Sequence, residues 1–88
     1  MPEIELTDTF RKGYANLPHE IKKKTKKALR LLAENPRHPS LRSKPIEGAK
    51  GIYEARIDRK YRFTLESLQS DVLRLRIVGK PDEALNNP

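Results

Sequence analysis

After Gly51 the sequence changes its period from helical to two. Tyr53, Ala55 and Ile57 alternate with Glu54, Arg56 and Asp58; Tyr61, Phe63 and Leu65 with Arg62, Thr64 and Glu66; Leu73, Leu75 and Ile77 with Arg74, Arg76 and Val78. This pattern suits strands that bury one face and wet the other. The connections Asp58-Arg59-Lys60 and Leu68-Gln69-Ser70-Asp71 are polar and too short for a crossover, so the three strands are expected to form an antiparallel meander.

The first half of the chain reads differently. Glu3 to Leu6 has the makings of a short strand, and Thr7 or Asp8 can cap a helix in which Phe10, Tyr14 and Leu17 share a face, although Gly13 weakens that helix. Pro18 suits the first turn of a second helix, and Asn35-Pro36 stops it. Ile21, Ala28, Leu29 and Leu32 form its apolar stripe; Lys22, Lys23, Lys26, Lys27 and Arg30 fill the opposite side, as on an ordinary solvated helix face. Residues 35–40 have loop composition, Pro45 limits Leu41 to Ile46 to an edge strand at best, and Gly48 and Gly51 bracket a turn. The polar tail after Gly79 is expected to fray.

With 88 residues, 35% hydrophobic and 35% charged, the chain has material for one domain with a thin core. The expected fold is therefore α+β: an N-terminal helical hairpin packed on one face of a small, mainly antiparallel sheet in β-α-α-β-β-β order, with the other face wet. Lysine and arginine number 19 against 12 acidic residues, a net charge of +7, which favours polyanionic partners, nucleic acid first. No apolar run approaches the ~20 residues of a spanning helix, and no signal peptide follows Met1, so no membrane partner is expected and the cytoplasm is the default location. The absence of cysteine removes thiolate chemistry and zinc ribbons, and His19 and His38 lack metal-ligand spacing, so neither a metal nor another cofactor is expected.

A first hairpin centred on Arg59 sets Arg56 opposite Arg62 and Glu54 opposite Thr64. A second centred on Gln69 sets Arg76 opposite Arg62 and Arg74 opposite Thr64. Arg56, Arg62 and Arg76 would then form a row across the polar face. Like charges facing each other across strands are unfavourable, which points either to a bound anion or to acidic neighbours such as Glu54 and Glu66 pairing diagonally with the arginines.

The run Lys44-Pro-Ile-Glu-Gly, then Ile52-Tyr-Glu-Ala-Arg-Ile, Tyr61-Arg-Phe, and Val72 to Ile77 followed by Val78-Gly79-Lys80 resembles the RelE/ParE superfamily of toxins from bacterial and archaeal toxin-antitoxin pairs. The resemblance covers nearly the whole chain. It implies a toxin that, in the RelE branch, enters the ribosomal decoding site and cuts mRNA without a metal, and a cognate antitoxin protein that blocks the same surface. Arg62 matches the arginine implicated at the scissile phosphate, Arg56 a basic position on the preceding strand, and Glu54 a position held by lysine in RelE. Pro81 replaces an arginine or histidine frequent in active relatives, and no tyrosine follows it.

Metal-free cleavage needs a base, an acid and a stabiliser of phosphate charge. Arg62, Arg56 and Lys80 are the expected catalytic residues, Glu54 a second candidate for proton transfer, and Arg76, Arg74, Lys44 and Lys50 the expected RNA-binding residues. A ParE-like gyrase inhibitor, or a catalytically weak relative that only binds antitoxin or RNA, remains the alternative.

Overall fold

The computed structural model describes residues 2–86. The chain runs β1 (Glu3–Leu6), α1 (Asp8–Ala15), α2 (His19–Glu34), a single 3-10 turn (Pro39–Leu41), β2 (Lys44–Pro45), β3 (Ile52–Arg56), β4 (Arg62–Leu68), β5 (Val72–Gly79) and α3 (Pro81–Asn86). One five-stranded sheet has the order β1-β5-β4-β3-β2. All neighbours are antiparallel except β1, which lies parallel to β5. This is the α+β arrangement expected from the periodicity. Among the described residues, no helix is long and apolar enough to cross a membrane.

Parallel pairing requires a crossover that packs back on the sheet, and α1 and α2 supply it. Thr7 starts this crossover. Its hydroxyl accepts from the Phe10 N–H at 3.1 Å, capping α1, and lies 2.8 Å from the Leu75 carbonyl oxygen, to which it donates. One side chain thus fixes both the start of α1 and its place over β5. Phe10 then meets Phe63 edge to face, with centroids 6.4 Å apart, in a core shared with Leu17, Ala28, Leu32, Leu41, Leu65 and Leu75.

Pro18 is the residue before α2 rather than its first residue. Thr25 lies on the buried stripe, and its hydroxyl donates to the Ile21 carbonyl at 2.7 Å, so no polar atom is stranded there. Beyond α2, the Asn35 side chain accepts from the Arg37 N–H at 3.0 Å, and His38 Nδ1 accepts from the Ser40 N–H at 3.1 Å. These local bonds shape the loop that sends Leu41 into the core and leaves Arg42 with a positive φ of 46°.

Several expectations are corrected. The β4–β5 hairpin is centred on Ser70, not Gln69: Leu68 pairs with Val72 and Glu66 with Arg74, which shifts the partners by two residues. A bulge between Phe63 and Leu65 then sets Phe63 opposite Val78 and Arg62 opposite Gly79, so Arg76 does not stand opposite Arg62. The bulge also switches parity: Val78 is buried, whereas Ile77 is only half-buried. The second face is not uniformly wet, since Ile52, Glu54 and Thr64 on it are buried. Residues 81–86 form α3, which packs on β4 and β5 and buries Ala84, so the expected fraying does not apply to this part of the tail; residues 87 and 88 lie outside the described residues.

Gly13 is explained by close approach rather than by backbone conformation. A Cβ at this position would stand 3.0 Å from both Val78 Cγ1 and the Val78 carbonyl oxygen. Replacing glycine by alanine in an unobstructed helix stabilises by ~0.5–1 kcal/mol. Here the clash with strand backbone is expected to reverse the sign, so Gly13→Ala should lose ~1–2 kcal/mol in urea unfolding. An unchanged or higher midpoint would refute this role.

Candidate functional site

The β3–β4 hairpin has the register the sequence implies: Glu54 faces Thr64 and Arg56 faces Arg62. Its turn is built on Asp58. One carboxylate oxygen accepts from the N–H groups of Lys60 and Tyr61, each at 2.9 Å, and the other lies 3.5 Å from Lys24 Nζ on α2. Burial by itself pushes the Asp58 carboxyl up, but the two backbone donors and Lys24 together outweigh it and hold the group below its usual range. Arg62 closes the same turn, donating from Nη1 to the carbonyl oxygens of Asp58 and, at 3.0 Å, Tyr61. Its donors on Nε and Nη2 have no protein partner among the described residues.

Next to this turn is a pocket of about 290 Å³ lined by Arg42, Lys44, Glu54, Arg56 and Arg62. Four cationic side chains meet one carboxylate there. Glu54 is 9% exposed and lies 3.6 Å from Lys44 Nζ. The Arg56 side chain makes no hydrogen bond or ion pair among the described residues. Such a lining can hold a phosphate, with guanidinium donors for the oxygens and a carboxylate beside them able to take a proton.

The structure divides the expected site residues. Arg56, Arg62, Glu54 and Lys44 come together. Arg74 and Arg76 sit farther along β5 and are occupied by acids: Arg74 Nε is 2.8 Å from Glu5, and Arg76 Nη1 is 3.2 Å from Glu66, which also faces Arg74. Pairing with acidic neighbours, directly across the strands for Arg74 and diagonally for Arg76, therefore describes these two arginines but not Arg56 or Arg62. Lys50 precedes β3 at the end remote from Arg56, and Lys80 is an exposed residue just past Gly79; neither lines the pocket. Pro81 opens α3, where its missing N–H costs no helical bond.

Arg42 was not singled out by the sequence. The signal lay in pairing parity: Lys44 stands opposite Glu54 on antiparallel strands, so the residue two positions earlier falls beside Arg56. The irregular backbone around Arg42 concealed that relation.

No protein-family model and no curated protein matches the sequence. Solved structures do match. The YafQ structure from E. coli strain BL21(DE3) superposes with a TM-score of 0.76 at 21% identity, over 93% of this chain and 96% of that one. The intact E. coli RelBE toxin-antitoxin complex gives a TM-score of 0.73 at 20% identity, over 91% of this chain and 96% of that one. The RelB-RelE antitoxin-toxin complex from Methanococcus jannaschii gives 0.74 at 22% identity, over 89% and 91%.

The turn beneath the pocket gives a pH test. The folded Asp58 carboxyl is held below its unfolded value of ~3.9, so its stabilisation is full above that pH and is lost as pH falls through the folded value. The stability gap between the wild type and Asp58→Asn should thus narrow on acidification, followed by chemical unfolding at several pH values. A gap constant from neutral pH into the acid range would contradict the assigned bonds. Over nine-tenths of its length the chain has the fold of the RelE and YafQ toxin structures.

Proposed function

We propose that this protein is the toxin of a type II toxin-antitoxin pair, a metal-independent endoribonuclease that cuts mRNA on the ribosome and is neutralised by a cognate antitoxin protein. The observation that carries the reading is the pocket in which Arg56 and Arg62 face each other beside the buried carboxylate of Glu54. The likeness of the fold to YafQ and RelE, several of whose structures are described as toxin-antitoxin complexes, supports the same reading and the antitoxin partner. A phosphate-suited pocket favours RNA cleavage over gyrase inhibition.

In the proposed reaction the ribose 2′-hydroxyl attacks the adjacent phosphorus. The new O2′–P bond forms, the P–O5′ bond breaks, and the products carry a 2′,3′-cyclic phosphate and a 5′-hydroxyl. Arg62 and Arg56 stabilise the charge that accumulates on the non-bridging oxygens, where arginine is suited by its permanent charge and planar donors. Glu54 takes the 2′-hydroxyl proton, and Lys80 is the candidate donor to the leaving 5′-oxygen. The ribosome aligns the 2′-oxygen with the departing one. Lys44, beside Glu54, contributes a further positive charge to the pocket; Arg74 and Arg76, paired with Glu5 and Glu66, have no role in the proposed chemical step.

The test is mRNA end-mapping after incubation with translating ribosomes. Arg62→Ala is expected to lower the cleavage rate by on the order of 10²–10³-fold, and Glu54→Gln by on the order of 10²–10⁴-fold. Arg74→Ala should leave the chemical step nearly unchanged. Intact message at saturating wild-type protein would reject the endonuclease.

A further inference from the structure

The lysine run from Lys22 to Lys27 reads in sequence as one solvated helix face, but the fold splits it in several directions. Lys23 lies 3.7 Å from Glu20, and Lys22 Nζ is 5.9 Å from the centre of the Tyr14 ring. Lys26 borders a groove lined by Leu6, Phe10, Tyr14 and Leu29. Lys24 and Lys27, three residues apart and therefore on one helical face, border a different pocket of about 300 Å³ whose other lining includes Ser40, Arg56 and Asp58.

Arg56 lines both this pocket and the one that holds Arg62. The two basic pockets therefore share Arg56 in their linings. The only carboxylate lining the second pocket among the described residues, Asp58, already accepts two backbone N–H groups and faces Lys24. The arrangement leaves a cationic excess around the end of β3.

We propose that Lys24, Lys27 and Ser40 form a second phosphate subsite, so that single-stranded RNA held at Arg62 continues past Arg56 onto α2. The inference rests on reading the Arg62 pocket as an RNA site. The ammonium groups supply charge and rotatable donors without reading bases, and the Ser40 hydroxyl supplies a neutral donor. The subsite thus fixes the direction of the strand and how much RNA is bound.

The test uses 2′-O-methyl RNA, which has no free 2′-hydroxyl to attack, as a dinucleotide and as a longer oligonucleotide. Binding is followed by fluorescence anisotropy over a range of salt. The wild type should bind the longer strand more tightly than the dinucleotide. Lys24→Gln/Lys27→Gln should lose most of that gain, with a salt slope shallower by ~0.7 for each phosphate contact removed, while dinucleotide binding is unchanged. Lys24→Arg/Lys27→Arg should keep the gain.

Lys23→Gln/Lys26→Gln removes the same charge elsewhere on α2 and should have little effect; thermal melting checks that each variant is folded. An equal loss in that control means diffuse attraction and overturns the subsite. A length gain that survives in Lys24→Gln/Lys27→Gln overturns the subsite too, but leaves the Arg62 pocket standing. If the wild type binds neither oligonucleotide, the RNA reading and the subsite fall together.

Discussion

The bulge at Thr64 sets the relation between the two faces of this sheet. The Ile77 N–H donates to the Thr64 hydroxyl at 3.1 Å, and this fully buried side chain takes part where regular strand pairing is interrupted. On one side of the bulge, Leu75 packs in the core while Arg74 faces Glu66. On the other, Val78 takes the core position and Gly79 arrives opposite Arg62. Without that change of parity, a polar face along all of β5 would place Val78 outside the core. With it, the strand end beside Arg62 is a glycine, which brings no competing side chain.

The polar face consequently has two electrostatic halves. Glu5, Arg74, Glu66 and Arg76 form a connected set of opposite charges across β1, β5 and β4. Partly exposed pairs of this kind contribute ~0–1 kcal/mol each and serve chiefly to neutralise the surface. Around Arg42, Arg56 and Arg62, Glu54 is the single acid lining the pocket among the described residues, although Arg56 and Arg62 are directly opposed. Part of the repulsion is relieved by the turn, whose Asp58 and Tyr61 carbonyl oxygens accept from Arg62. An incoming phosphate is suited to relieve the remainder.

Much of this was legible in the sequence because period-two alternation and turn length are local properties. They gave the meander, the β3–β4 register and the meeting of Arg56, Arg62 and Glu54. The β4–β5 register was misplaced because polar turn residues do not mark their own centre: Ser70 and Asp71 both adopt positive φ, and no glycine flags the position. The bulge was hidden because Ile77 and Val78 are both apolar, so parity could not be decided between them. Arg42 was missed because its neighbourhood depends on a two-residue strand, and α3 because six residues carry too little pattern to distinguish a helix from a polar tail. The sorting of the α2 lysines depends on what each helix face meets in three dimensions.

The parallel partnership of β1 and β5 also has a consequence in time. Glu5 and Arg74 stand side by side although 69 residues separate them, whereas the β3–β4 hairpin closes over a few residues. Contacts of large sequence separation carry the larger loop-closure cost. During synthesis, β1 emerges early and has to wait, its pairing groups hydrogen-bonded to water, until residues 72–75 have left the ribosome. The segment that makes the arginine pocket can pair before the sheet that supports it is complete, so the order of assembly runs opposite to the order in which the outermost strand and its neighbour are made.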